Sequence, residues 1–494
     1  MTNPMASVPT SIEKTALTLS TKLIYGSGDW SRASFNTLRQ IFYAIFLTDV
    51  VGIDPRLASI AALISTLWDA INDPLVGSIS DKVHSKFGRR RPFLLIFAIP
   101  FAAAFMILWW APPWKSQIAL TITVTLTYMI ADTIQTLVTV PYLALTPELA
   151  RDYDQRTSLT SYRMLFNLIA SLATAVSAPM VVEAALKAGL GTQQGYLIVA
   201  ALFGGLAALP FLLIFFKVKE RPLEKDEKIE KISLGSTIRI LIDNAPFRFA
   251  TGIYVLNWIS FDLVALMLPY YLLYWVNQGN TLSQISLFGM SISLTSIVFG
   301  ILLIIAIMAL PLWTAIAKRF SKRWAYIVGM VFWIIVQMII FSIQPGQITL
   351  IIVLAALAGL SVSTAHVMPE AIFPDVIDWD ELRTHQRREG TYYGAVNFLR
   401  KLSSAGAIFL ALQVLGWFGY QTPPENALQF SQSPITLGAI RYLTGPIVAV
   451  LLLVAIIVAW RYPLSRERQR RIQRALFRRK NHEQKPEIEE VQTK

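Results

Sequence analysis

Long apolar runs alternate with short charged connections along nearly all of the 494 residues, and each run is long enough to cross a bilayer as a helix, for which about 20 residues suffice. The runs fall at 22–50, 57–80, 93–111, 117–146, 160–182, 196–216, 248–277, 285–316, 324–343, 348–373, 391–416 and 437–460. Their pattern predicts an all-α membrane protein with twelve transmembrane helices. Composition points the same way, because 54% hydrophobic and 15% charged residues place the chain outside ordinary soluble proteins.

The connections then sort by charge. Lys82, Lys86, Arg89, Arg90 and Arg91 follow the second run, Arg151 and Arg156 the fourth, and the cluster from Lys217 to Lys231 the sixth. Lys318, Arg319, Lys322 and Arg323, then Arg383, Arg387 and Arg388, and finally the tail from Arg461 continue the alternation. The intervening loops hold chiefly Arg56, Lys115, Lys187 and Arg441. Retained loops collect Lys and Arg, so an even number of spans with both termini cytoplasmic is expected, in a bacterial inner membrane or a plasma membrane. The net charge of +13 is accounted for by topology and anionic lipid, so no nucleic-acid partner is expected. Arg461 to Lys480 reads as a basic segment on the lipid surface, and Asn481 to Lys494 as a polar, disordered end. The polar first twenty residues predict no cleavable signal peptide. The absence of Cys excludes disulfides, thiolate metal sites and Cys nucleophiles.

Carboxylates inside an apolar run need a reason. Trp68-Asp-Ala-Ile-Asn-Asp-Pro74 puts Asp69, Asn72 and Asp73 on one helical face by steps of three and four, so their oxygens can converge on one small object. Such groups usually face a bundle interior or a watery path and handle ions or protons. A transporter is therefore the first reading, and no enzyme activity or cofactor is expected.

The organisation supports duplication. Residues 217–247 carry a run too charged for lipid and read as a cytoplasmic linker between six-helix halves at 1–216 and 248–460, with a basic cytoplasmic tail at 461–494. Each half has a basic turn between its second and third runs, Lys86 to Arg91 and Lys318 to Arg323. Gly77-Ser-Ile-Ser-Asp81 followed by Gly88-Arg-Arg-Arg91-Pro92 resembles the signature motif of major facilitators, which implies the major facilitator fold. Asp81, Arg89 and Arg90 then become candidates for a gating network, together with Arg156, Asp375, Asp378 and Arg383 at the ends of spans four and ten. Pairs across the halves there are expected to hold the inner gate shut when the protein faces outward.

Several segments together resemble the glycoside-pentoside-hexuronide:cation symporters, the family of the melibiose permease. These are Tyr25-Gly-Ser-Gly28, Thr48-Asp-Val-Val-Gly52, the Trp68 to Pro74 run, Asp375-Val-Ile-Asp-Trp-Asp-Glu381, and Gly394 through Lys401 to Gly406. The resemblance implies a cation site at Asp69, Asn72, Asp73 and Thr136, serving sodium or a proton. Carboxylate, amide and hydroxyl oxygens suit sodium, and the pair Asp69 and Asp73 suits either ion.

The sugar site departs from the relatives. Positions of their sugar-binding carboxylate pair fall on Ala33 and Thr139, and those of their aromatic platforms on Leu143 and His366. Helical steps place Asp29, Arg32, Asn36 and Arg39 on one face of span one, Asp132, Thr136 and Thr139 on one face of span four, and His366 with Glu370 on span ten. The expected substrate-binding set is Asp29, Arg32, Asn36, Thr139, Arg163, His366 and Lys401. It would take a glycoside, oligosaccharide or uronate in a monomeric protein within the bilayer, the arginines suiting a carboxylate. Asp29 with Arg32 and Asp132 with Arg163 are alternatively mutual neutralising pairs, and His366 is alternatively a packed core residue. A lysolipid is the rival substrate. Gly26-Ser-Gly-Asp29 also fits a string found in intramembrane aspartyl proteases, but the partner motif is absent from a second span.

Overall fold

The computed structural model describes residues 17–492 apart from 84, 151–152, 220–233, 283, 288–289, 387 and 425–426. Twelve membrane-spanning columns run in antiparallel succession. The first is broken at Ser27 into α1 (Leu19–Gly26) and α2 (Gly28–Asp49). α3 (Pro55–Lys82), α4 (Arg91–Leu108), α5 (Gln117–Leu149), α6 (Tyr153–Lys187) and α7 (Thr192–Lys217) complete the first half. A short α8 (Leu234–Asp243) lies in the linker. α9 (Ala245–Tyr270) then passes into a π-helical turn, Tyr271–Val276. α10 (Leu294–Arg319), α11 (Lys322–Ser342), α12 (Ile348–Thr384) and α13 (Glu389–Trp417) follow. The last column is α14 (Pro434–Thr444) and α15 (Pro446–Trp460), split at Gly445 before a proline that has no N–H to continue the ladder.

Ten of these columns are apolar enough to cross a membrane by composition alone. The two that are not, α1–α2 and α3, carry Asp29, Arg32, Arg39, Asp69 and Asp73. Their polarity is the cost of carrying the candidate site, and they are held by packing against the other columns. Local signals set the ends: Asp54 caps α3 by accepting from the Arg56 N–H with Pro55 in the first turn, and Asn244 caps α9 by accepting from the Phe247 N–H ahead of Pro246.

The structure corrects two expectations. Within the expected span 285–316 the first described residues are not helical; Gln284–Leu287 and Met290–Ser293 pair as antiparallel strands, β1 and β2, with Ile285 opposite Ile292. The sequence there alternates Ser with Ile, Leu or Met, a period of two that an apolar count over a long window conceals. The tail forms a helix, α16 (Arg466–Gln492), where a disordered end was expected from Asn481 onward.

The packing of the first half repeats in the second. α3 packs on α5, α4 on α5 and α7, and α2 on α6 and α7; correspondingly α10 packs on α12, α11 on α12 and α15, and α9 on α13 and α15. The halves meet through α3 on α13 and through α6 on α10, again an equivalent pair. This is the major facilitator architecture, with its centre between the halves.

Close approach at these contacts uses glycine. A methyl group at Gly359 of α12 would run into the carbonyl oxygen of Leu302 on α10, and one at Gly204 of α7 would press on the Ala102 carbonyl oxygen on α4. In membranes small residues replace the hydrophobic driving force by letting backbones touch. Gly359→Ala should therefore lower the melting temperature in detergent, through overpacking of about 1–3 kcal/mol, whereas Gly406→Ala, whose Cβ meets nothing within 4 Å, should not. Equal melting of both variants would show that the α10–α12 contact is looser than described.

A charged cavity as the candidate functional site

Between the halves lies a cavity of about 490 Å³, lined by α2, α3, α5, α9 and α13. Three charge groups, each assembled from more than one helix, line its polar wall or stand directly behind it.

The first group centres on Lys401 of α13. Its ammonium lies 2.7 Å from Asp69 Oδ2 and 2.5 Å from Asp73 Oδ2, and it donates to the Asp69 carbonyl at 3.4 Å. Thr136 Oγ1 donates to Asp73 Oδ1 at 3.3 Å. Asp132, one turn from Thr136 on α5, accepts from Arg39 Nη1 at 3.1 Å and faces Asp69. Arg39 also lies over the Tyr128 ring, 5.2 Å from its centroid. Three carboxylates thus meet two cations, leaving a formal charge of −1. Pro74 follows Asp73 directly and has no N–H for the Ala70 carbonyl, which loosens the helix beside the two acids.

The second group centres on Asp29 at the start of α2. Asp29 Oδ1 accepts from Arg32 at 2.8 and 2.9 Å, and Oδ2 accepts from Arg163 Nε at 2.5 Å and from Tyr142 OH at 3.0 Å. Arg163 also donates to Thr146 Oγ1 at 3.2 Å. One carboxylate meets two guanidiniums, a formal charge of +1. In the third group Arg400 makes two bonds to Asp262 on α9, at 2.6 and 3.0 Å, and Gln40 of α2 donates to Asp262 Oδ1 at 2.6 Å. Arg400 lies over Trp258, its guanidinium carbon 3.8 Å from the ring centroid. This group is neutral.

Of the residues expected from the sequence, Asp69, Asp73, Thr136, Arg32, Asn36, Thr139 and Lys401 line the cavity together. Asn36 accepts from Gln135 Nε2 at 3.1 Å, and Thr139 Oγ1 has no hydrogen-bond partner among the described residues. The others lie elsewhere. Asn72 is buried and does not line the cavity. Asp29 and Arg163 sit behind Arg32. His366 is packed edge-on against Trp258 and Phe261, with ring centroids 5.0 and 4.5 Å away, and stands apart from the lining because neighbouring aromatics enclose it. The partner of Arg163 is Asp29, not Asp132, since Asp132 is taken by Arg39.

The expected gating residues bond within their own halves in this conformation. Arg90 bonds Asp81 and Ser80, and Glu148 accepts from Arg89 at 3.0 Å. Asp375 pairs with Lys322 at 2.7 Å, Asp378 accepts from Gln469 at 3.0 Å, Arg156 donates to the Ala150 carbonyl at 3.4 Å, and Arg383 is exposed. Arg151, Asp152 and the Asp154 side chain, just before Arg156 in the chain, lie outside the described residues.

Several bonds cross between the halves at mid-depth and at the end away from the basic loops. Asp49 of α2 accepts from Tyr274 at 2.5 Å, from Tyr420 and from its neighbour Thr48; Thr48 bonds Tyr270 at 2.9 Å. Gln413 donates to Ser59 Oγ at 2.8 Å, and Ser296 to the Val176 carbonyl at 2.7 Å. Asp49, Asp262, Arg400, Gln40 and the tyrosines were given no role from the sequence. Asp262 and Arg400 were open to the same rule that singled out Asp69, a charge deep in an apolar run; the tyrosine cluster left no such signal.

Residues 24–466 match the family described as MFS/sugar transport protein. The chain belongs to that family. An uncharacterised symporter of Synechocystis is 28% identical, covering 92% of this chain and 96% of its own length. The sodium-dependent lysophosphatidylcholine symporter 1-A of Danio rerio is 24% identical, covering 92% and 88%. Among solved structures, the inward-open xylose transporter of E. coli superposes with a TM-score of 0.59 at 15% identity, covering 92% of this chain and 99% of its own, a likeness of fold. The protein is thus a multi-pass membrane transporter of the major facilitator type.

In this MFS/sugar transport protein the Asp29 group makes a sharp stability claim. Removing one member of a buried charge group leaves the rest uncompensated, at a cost of about 3–5 kcal/mol. Asp29→Asn leaves Arg163 and Arg32 facing each other and should lower folded yield and melting temperature well beyond Arg32→Gln, which leaves one carboxylate and one guanidinium. The opposite order in thermal melts of the two variants would remove Asp29 from the centre of that group.

Proposed function

We propose that this protein is a sodium-coupled symporter of an anionic, sugar-like solute such as a uronate, working by alternating access. The observation that carries the reading is the separation of unlike formal charge at one cavity: a surplus of −1 around Asp69, Asp73 and Asp132, and of +1 around Arg32, which lines it, and Arg163 behind. A cation and an anion bound together would neutralise both poles, which neither could do alone.

The negative pole offers carboxylate oxygens and the Thr136 hydroxyl, a hard oxygen set that fits sodium. The sodium-dependent relative supports that choice of ion. Lys401 stands between the two acids and acts as an internal counterion. Sodium entering at Asp69 and Asp73 weakens the hold of Lys401, which belongs to the other half, and so alters the tie between α3 and α13. Arg32, which lines the cavity, offers a planar guanidinium for a substrate carboxylate, and Asn36, Gln135 and Thr139 offer hydrogen bonds for hydroxyls. Arg39, Asp132, Asp262 and Arg400 keep the walls neutral and in register.

The cross-half bonds of Asp49, Thr48, Gln413 and Ser296 close the end away from the basic loops. With basic loops and both termini in the cytoplasm, this conformation faces inward, and outward opening requires the Asp49 cluster to part. A second reading, a lysolipid substrate, is favoured by the lysophosphatidylcholine symporter among the relatives; a phosphate would take the place of the carboxylate at Arg32.

The deciding experiment is uptake into proteoliposomes of labelled uronates, neutral glycosides and a lysolipid under an inward sodium or proton gradient. Sodium-driven accumulation of the uronate, with weaker uptake of its neutral counterpart, is expected; preference for the neutral glycoside would reject the anion site, and gradient-independent uptake would leave a uniporter. Asp73→Asn should abolish accumulation. Lys401→Met should remove the sodium-dependent gain in substrate affinity, about 5–150-fold for a typical coupled pair, while the protein remains inserted; unchanged coupling in equilibrium binding would assign Lys401 a packing role.

A further inference from the structure

α16 has two unlike faces. Gln469, Ile472 and Leu476 are buried, and Gln469 Nε2 donates to Asp378 at the end of α12. Arg468 lies over Trp379, 4.8 Å from the ring centroid, and Arg466 Nη1 donates to the Arg319 carbonyl at the end of α10, 2.8 Å away. The other face is exposed: Arg470, Arg474 and Arg478 follow at steps of four, and Phe477 beside them is 67% exposed. Between Arg461 and Lys480 there are nine Lys and Arg against one Glu, the exposed Glu467 one turn before Arg470 and Arg471, so this face keeps a large positive surplus.

Depth decides what meets that face. α16 begins six residues beyond Trp460, where the last column ends, and it is bonded to the ends of α10 and α12. Helix termini of spanning columns lie at the headgroup layer, so α16 is fixed at that level. Arginines there meet lipid phosphates, and an aromatic side chain between them suits the boundary with the acyl chains. Every partner named for α16 belongs to the C-terminal half.

We infer that the outward face of α16 binds anionic lipid headgroups and so anchors the C-terminal half to the leaflet, leaving the N-terminal half as the element that rocks. An arginine pair over a phosphate adds charge-assisted bonds, and a clamp confined to one half does not oppose motion between halves. The proposal is independent of which solute is transported.

The chain has no Cys, so Gln473→Cys on the exposed side provides a single labelling position in the full-length protein. With a polarity-sensitive dye there, nanodiscs in which part of the phosphatidylcholine is replaced by phosphatidylglycerol should give blue-shifted emission relative to phosphatidylcholine alone. High salt should reverse the shift. Combining Arg470→Gln, Arg474→Gln and Arg478→Gln should abolish it and weaken retention of phosphatidylglycerol by on the order of a hundredfold, with unchanged melting in phosphatidylcholine. Identical emission in both bilayers, or a shift that survives the three substitutions, would overturn the inference. If the triple variant melts early, the salt titration of the otherwise unsubstituted protein decides alone.

Discussion

The charges that line the centre of this bundle are held by partners on neighbouring helices, and that requirement organises the protein. A lone charge in hydrocarbon is expelled or neutralised, whereas a paired and hydrogen-bonded one is tolerated if its partner is held in place. Here the partners come from different helices: Asp29 from α2 with Arg163 from α6, Asp132 from α5 with Arg39 from α2, Asp262 from α9 with Arg400 from α13. Each pairing fixes the rotation and depth of two columns, which the surrounding Leu, Ile and Phe packing alone would leave free to slide. The weakly apolar α2 and α3 are thereby kept at the centre, where their polarity is of use.

Two further ties cross between the halves at mid-depth, Lys401 to Asp69 and Asp73, and Gln40 to Asp262. Arg400 and Lys401 are adjacent in sequence yet address different groups, one within its own half and one across the gap. A transporter of this architecture must hold the halves together in more than one arrangement, and ties made of charge and hydrogen bonds can be exchanged for ion or solute contacts of similar strength. A continuous apolar interface could not be exchanged in this way. The far end shows the complementary device, where Asp49 gathers Thr48, Tyr274 and Tyr420 into one buried cluster that either holds as a unit or parts.

Much of this was legible beforehand, because hydropathy and loop charge report directly on what lipid permits. Twelve columns, the duplicated order and the acidic face of α3 follow from spacing alone. The β1–β2 pairing was not legible by the same window, since Ile285, Leu287, Met290 and Ile292 raise the average as effectively in a strand as in a helix. Partner choice was not legible either. The sequence shows that Arg163 needs an acid but not which one; Asp132 was the expected partner, and packing gives Arg163 to Asp29 and Asp132 to Arg39. His366 was drawn toward the cavity by a family position and proved to lie against Trp258 and Phe261, an enclosure made by residues distant in the chain.

The departures from the melibiose permease pattern gain meaning from this geometry. With Ala33 and Thr139 where sugar-binding carboxylates are expected, the cavity loses acceptors for neutral hydroxyl groups. It retains Arg32 on its wall, backed by Arg163 and only one shared acid. Had both guanidiniums been fully compensated, this wall would be formally neutral; the single Asp29 between them leaves one positive charge unbalanced beside the cavity that Arg32 lines. The −1 surplus around Asp69 lies in the same cavity, so filling either pole alone leaves the other to be compensated in a closed bundle. On the proposed function, closure around an ion and an oppositely charged solute together would be favoured over closure around either one, and that preference would be the physical content of coupling.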